Sequence, residues 1–287
     1  MKEAIGTENR YHLRLTAEKK GIHLNLKELW RYRDLVRLLT RKTFSLTYQQ
    51  TILGPLWIVI NPAISSLIYM FLFGYVAKIG TGGIPMVLFY FVSASLWEVF
   101  AQSLATNSGV FVQNANLFGK VYFPRLAVPV SNTLVCLLKY CVQMLIVGTS
   151  LAVFTIRGEV HPHWELYPIL PLLLLQMAVL GMSIGILISS LTAKYRDLLS
   201  VVAVGINLFM YATPIAYPLS ALPEGILKTA VKLNPVTEIV EEFRLIMLGN
   251  GEVEWPFGLI GMGLTLLLFV LSAANFNRVE RTFLDTV

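Results

Sequence analysis

Charge is scarce in this sequence. Only 14% of its 287 residues are Asp, Glu, Lys or Arg, against roughly 25% in an average soluble domain. Hydrophobic residues make up 55%, more than a core of this size can hide, so lipid is the expected solvent. Cysteine is almost absent: Cys136 and Cys141 stand five apart in one apolar stretch. On a helix they point to different faces, which gives neither a metal spacing nor a disulfide framework. Both are read as small buried hydrophobes. A phosphate-cradling loop is missing too, because Lys42-Thr43 and Lys228-Thr229 follow Arg41 and Leu227 rather than a glycine-rich turn. No HExxH string occurs. The four histidines (His12, His23, His161, His163) lie in polar segments, and no acidic cluster suits the divalent metal of a membrane transferase. Residues 1–25 lack the apolar core of a signal peptide, so the first span is expected to act as its own insertion signal. The net charge of +6 is not a nucleic-acid footprint, because the cations sit in short segments beside apolar runs, where membrane topology explains them.

What is present follows the bilayer. Tyr11–Leu15 and Ile22–Leu26 alternate apolar with polar residues around Lys19-Lys20-Gly21, which predicts a small β-hairpin. The period then changes. Leu29, Tyr32, Val36 and Leu39 share one helical face, while Lys27, Arg31, Arg33, Arg37, Arg41 and Lys42 share the other. That pattern predicts an amphipathic helix lying in the membrane interface. Crossing the hydrocarbon takes about 20 apolar helical residues. Six stretches qualify: 53–76, 86–106, 126–155, 167–191, 198–217 and 256–276. The third exceeds a straight crossing and must tilt or project. Residues 218–255 are too polar to span twice and read as two short external re-entrant helices. The expected fold is therefore an all-α integral membrane bundle of six transmembrane helices. Its units are 1–46 (hairpin and interface helix), 47–278 (the six spans) and a tail, 279–287. With the N-terminus inside, the inner segments hold 17 of the 23 Lys and Arg, leaving Lys78, Arg157, Lys228, Lys232 and Arg244 outside and Lys139 within a span. Both termini are then cytoplasmic.

Glu98 and Lys139 fall inside apolar runs, where a centred charge costs about 2.5–3.5 kcal/mol on insertion scales. Such residues face a cavity or each other, unless Lys139 snorkels along a tilted span to the surface.

A series of strings in register carries a family resemblance. Leu29-Trp30-Arg31-Tyr32-Arg33-Asp34 leads into Tyr48-Gln49-Gln50-Thr51-Ile52-Leu53-Gly54-Pro55-Leu56-Trp57 and Asn61-Pro62. Asn114-Ala115-Asn116-Leu117, Lys120-Val121-Tyr122-Phe123-Pro124-Arg125, Lys194-Tyr195-Arg196-Asp197 and Ala212-Thr213-Pro214 follow. Asn234-Pro235, Glu242-Phe243-Arg244 and Leu248-Gly249 complete the series. From about residue 22 to 278 the chain resembles the permease subunits of type-2 ABC exporters of lipid-linked polysaccharides, the O-antigen and teichoic-acid exporters. Where relatives often carry basic residues before the Tyr-x-Gln-Thr string, this chain has Phe44-Ser45-Leu46-Thr47. The resemblance implies a homodimer working with two copies of a separate ABC ATPase subunit, which binds the ATP and Mg that this chain does not. It also implies a cytoplasmic coupling helix near 108–121, with Gln113, Asn114, Asn116 and Lys120 as ATPase contacts. Val110, Phe111, Leu117 and Phe118 would give that segment a docking face. The interface helix would present Arg31, Arg33, Arg37 and Arg41 to lipid headgroups. A path for a sugar polymer needs weak, repeated grip, which aromatic faces supply; Trp57, Tyr69, Phe73, Trp97, Phe100, Phe209 and Tyr211, with Glu98, are the candidates. A drug-efflux permease of the same fold and a membrane-embedded sugar transferase are the rival readings.

The orientation has a direct check. Single cysteines placed at Gly80, His161 and Gly251 are expected to react with an impermeant thiol reagent from outside the cell, while Arg196→Cys stays protected. The reverse labelling pattern would refute the topology.

Overall fold

In the computed structural model, which describes residues 26–49, 51–118 and 123–284, the apolar stretches are helical and no strand occurs among the described residues. The hairpin expected at 11–26 lies outside them, except that Leu26 opens a helix. Two helices, α1 (Leu26–Arg31) and α2 (Arg33–Tyr48), form the predicted amphipathic element, with a break at Tyr32. Then come α3 (Trp57–Tyr69), which continues into a π-helical turn at Met70–Val76, and α4 (Met86–Ser108). Two single turns, α5 (Val110–Gln113) and α6 (Ala115–Phe118), precede the long α7 (Ala127–Ile156). The chain ends with α8 (Leu170–Thr192), α9 (Leu198–Tyr211), α10 (Ile226–Lys232), α11 (Pro235–Leu248) and α12 (Trp255–Leu284).

Five helical stretches are long and apolar enough to cross a membrane: 54–76, 86–108, 127–156, 164–192 and 255–276. The fifth expected stretch, 198–217, is corrected here, because its helix falls short of that length. Helix α9 has 14 residues, about 21 Å of rise against a hydrocarbon core of about 30 Å. It stops at the Ala212-Thr213-Pro214 string, where the Thr213 hydroxyl donates to Met210 O at 2.8 Å and Pro214 prevents the helix from continuing. Even so, α9 runs between the two ends of the bundle. Its start adjoins the end where the Thr192 hydroxyl meets Ser108 O, and its exit carbonyls at Ile215 and Tyr217 bind Arg244 at the other end.

Helix α4 is the central post, and its association with α8 shows how. In lipid, apolar surface gives helices little reason to associate, so close approach of small residues and interhelical hydrogen bonds must supply it. Gly181 and Gly185 lie one turn apart on α8. A Cβ added at Gly181 would sit 2.6 Å from Phe100 O, and one at Gly185 would sit 2.6 Å from Leu104 O. The Ser103 hydroxyl donates to Ala178 O at 2.9 Å across this contact. On the flank of α4 toward α7, the Asn107 amide donates to Ser103 O and to Thr133 Oγ1 at 2.8 and 3.2 Å.

Two helices occupy the interval predicted as re-entrant, but α11 is no surface dip. Ile239, Val240, Phe243, Ile246 and Leu248 are buried in the main core with Leu88, Phe100 and Leu180. Its ends explain two of the sequence strings. Asn234 caps the helix by accepting from Val236 N at 3.1 Å, with Pro235 at the first position. Gly249 ends it in the left-handed conformation, φ 72°, packed against the His161 carbonyl. A second, smaller core joins Val36 to Val110, Phe111, Phe118, Val128, Ile186 and Phe276 at the opposite end. Cys136 is buried as expected, whereas Cys141 is exposed on the outer side of α7.

The α4–α8 contact predicts its own failure. Gly181→Leu should lower the thermal midpoint of the detergent-solubilised protein markedly, since overpacking costs about 1–3 kcal/mol. Gly148→Leu, with no neighbouring atom within 4 Å, should leave it unchanged.

Candidate transport path and coupling segment

Glu98 and Gln102 are four residues apart on α4; Lys139 and Gln143 are four apart on α7. Each pair therefore lies on one helical face, and the structure brings the two faces together. Lys139 Nζ donates to Gln102 Oε1 at 2.7 Å, and the Gln102 amide donates to Glu98 Oε1. Gln143 Nε2 donates to Glu98 Oε2 and to Ile58 O, both at 2.8 Å. Lys139 also lies 5.7 Å from the ring centre of Tyr48. The two in-span charges thus meet through a glutamine rather than as a direct ion pair. One relay ties α2, α3, α4 and α7 together. The residues that complete it, Gln102, Gln143 and Tyr48, were missed in the sequence because they carry no charge, although the repeated four-residue spacing was the available signal.

The candidate path aromatics separate into groups. Trp97, Phe100 and Phe209 form a triangle with ring centres 5.2, 5.9 and 6.0 Å apart. Phe73 lies 6.5 Å from Tyr211, and the Tyr69 hydroxyl reaches Met210 Sδ at 2.7 Å. Six of the seven aromatics therefore gather where α3 and α4 meet the end of α9. Next to them, between α4, α8 and α9, lies an apolar cavity of about 310 Å³ bounded by Phe100, Leu104, Ile188, Val202, Ile206 and Phe209. Trp57, at the opposite end of α3, is not among them. Glu98 follows Trp97 in sequence but turns toward Gln143 and α7 instead of into the aromatic group.

At the end of α4, the coupling segment corrects one expectation. Val110, Phe111 and Phe118 do not form an outward docking face; they are buried in the second core, where Phe111 stacks on Phe276 at 4.8 Å. Only Leu117 remains partly exposed. Gln113 and Asn116 are exposed, and the Asn114 amide closes on Val110 O at 3.0 Å. Lys120 lies outside the described residues. Along α2, Arg33, Arg37 and Arg41 are exposed, as is Arg31 in α1, while Val36 and Thr40 are buried on the bundle side.

The far end is closed by Arg244, which is 1% exposed. Its guanidinium donates to Ser93 Oγ at 2.9 and 2.8 Å, to Ile215 O at 2.9 Å and to Glu241 Oε1 at 2.9 Å. It also lies 4.1 Å from the ring centre of Phe89. Burial lowers its pKa, and Glu241 opposes that shift. Glu238, one turn before Glu242, has no hydrogen-bond partner on either carboxylate oxygen. Burial, then Glu242 and Glu241, push its pKa up to about 7.

Residues 34–248 match the family described as ABC-2 type transporter. The chain is also similar to two proteins of Klebsiella pneumoniae named O-antigen export system permease protein RfbA. They are 27% and 26% identical over 253 residues, 88% of this chain and 94% of each relative. A Myxococcus xanthus protein of the same name is 25% identical over 77% of this chain and 83% of its own length.

If the relay acts as a unit, Glu98→Gln and Lys139→Met each lower the thermal midpoint, because each leaves the other charge without its bridge. Gln102→Leu should do the same while keeping both charges, and the Glu98→Gln/Lys139→Met double change should recover much of the loss. Additive losses in the double variant would show independent sites.

Proposed function

We propose that this chain, which belongs to the ABC-2 type transporter family, is the membrane-spanning permease of an exporter that moves a lipid-linked polysaccharide, O-antigen, out of the cytoplasm. The observation that carries this is the end-to-end likeness to O-antigen export permeases; it favours O-antigen over the teichoic-acid and small-molecule alternatives. A transporter component of this family is not itself the ATPase. In this reading two copies of the chain pair with two ATPase subunits, which bind ATP and Mg.

The reading places the protein in the inner membrane with both termini cytoplasmic and α9 as a short sixth crossing, completed by residues 212–217. Gln113 and Asn116, exposed at the turn of the coupling segment, are the proposed ATPase contacts together with Lys120, and Asn114 holds that turn. Because Val110, Phe111 and Phe118 are rooted in the same core as Phe276 and Val36, a push on this segment is delivered to the ends of α2, α8 and α12 together. The aromatics at the α3–α4–α9 junction, Tyr69, Phe73, Trp97, Phe100, Phe209 and Tyr211, are the proposed sugar-gripping surface. Tyr69, Phe73, Trp97 and Phe100 lie against α9, which carries the other two and of whose residues only Met210 is buried, so displacement of α9 would bare these faces to a polymer. Trp57 would then serve nearer the inner end, and Glu98 at the depth of Trp97 and Phe100, through the relay.

The purified chain is expected to hydrolyse no ATP alone and to support hydrolysis only with its ATPase partner. Deleting the gene in the source cell should remove surface O-antigen and leave the lipid-linked polymer facing the cytoplasm. Gln113→Ala/Asn116→Ala should uncouple ATP turnover from export while leaving the folded yield intact. Surface O-antigen that persists in the deletion strain would overturn the assignment.

A further inference from the structure

Between α2 and the first third of α7 runs a groove of about 700 Å³, within the range of about 300–1,000 Å³ that ligand sites occupy. Its floor is apolar. Val36 and Phe44 contribute from α2, and Val130, Leu134 and Leu138, four residues apart, contribute from α7. The Thr40 hydroxyl in the groove is already committed to Val36 O at 2.8 Å, so the floor offers an occupant no free hydroxyl. The rim is different. Arg33, Arg37 and Arg41, also four residues apart, line it on the α2 side, and among the described residues no carboxylate lines the groove.

We infer that this groove is a binding site for one anionic glycerophospholipid of the leaflet on the α2 side, with the phosphate on the arginine row and an acyl chain along Val130, Leu134 and Leu138. Dimensions and charge both lead there. The stretch from Val130 to Leu138 rises about 12 Å, close to the half-thickness of a hydrocarbon core of about 30 Å, so the floor matches the length of an acyl chain in a single leaflet. Guanidinium groups bind phosphate through paired N–H donors, and three of them without a carboxylate select for a negative headgroup. A second copy of this chain is a poor occupant. A two-fold contact presents the same patch from both sides, and here it would bring the arginine row of each copy to the same interface. A bound lipid would wedge α2 against α7 beside the Tyr48–Lys139 contact, linking headgroup charge to the relay.

The test uses the full chain in mild detergent, observed by native mass spectrometry during titration with phosphatidylglycerol or phosphatidylcholine of identical acyl chains. One phosphatidylglycerol should be retained per chain, with about tenfold preference over phosphatidylcholine, and millimolar inorganic phosphate should not displace it. The Arg33→Gln/Arg37→Gln/Arg41→Gln variant, altered only at exposed side chains, should lose the preference. Leu134→Trp, which fills the floor, should lose retention of both lipids, whereas Lys42→Gln, an exposed cation outside the groove, should change nothing. Equal retention of the two lipids, displacement by inorganic phosphate, or a preference that survives the triple variant would overturn the site. So would a chain-to-chain contact that Leu134→Trp abolishes while lipid retention persists.

Discussion

Arg244 and the Glu98–Lys139 pair are charges that bring their partners with them into the bundle, and these two sets organise it from end to end. Arg244 has Ser93, Glu241 and two backbone carbonyls around one guanidinium. Lys139 and Glu98 share Gln102. Because those partners sit on different helices, satisfying the charges also fixes the helices relative to one another. Lipid supplies little of the hydrophobic drive that would otherwise hold them. Helix α4 contributes to every one of these sets, through Ser93, Glu98 and Gln102. It is also the span most enclosed by its neighbours, 78% against 17% for the first span.

The same constraint decides what was legible in the sequence. Hydrophobic runs disclose spans because composition alone fixes them, and four of the six predicted stretches appear within a few residues of their expected bounds. The first matches also, although its last turn opens into a π-helix. The amphipathic pattern of residues 29–42 was equally direct, since one face had to be wet. Three matters were hidden. The fifth stretch looked long enough because apolar residues continue past Tyr211, yet a proline and a capping threonine end the helix there. Helix α11 lies in a stretch that looked too polar to span twice and so read as a re-entrant dip. Its polar groups are instead largely turned inward, Arg244 and Glu241 against each other. Pattern arguments take charge as a sign of exposure, and a buried ion pair defeats them. Val110, Phe111 and Phe118 show the converse, for apolar residues in a short loop give no sign of whether a partner or the chain itself covers them.

The site is legible in its chemistry and not in its grouping. Every aromatic now gathered at the α3–α4–α9 junction could be named from its span. That Trp57 stays apart, and that Glu98 turns to α7, depends on helix rotation, which no single span reveals. Each i, i+4 pair was visible on its own helix; that the two would face each other was settled by the close approach of α4 to its neighbours.

The Arg244 contact also has a consequence in time. Ser93 and Arg244 are 151 residues apart in sequence, so at about 5–20 residues per second of synthesis the serine waits roughly 8–30 s for its guanidinium. Throughout that interval α4 is already made, but the end of the bundle that Arg244 closes has no closing residue. The molecule is thus built from one end and sealed at the other only once α11 has been made. A ribosome that stalls before Arg244 leaves behind an unsealed bundle, in which the Ile215 and Tyr217 carbonyls and the Ser93 hydroxyl wait without the donor that joins them.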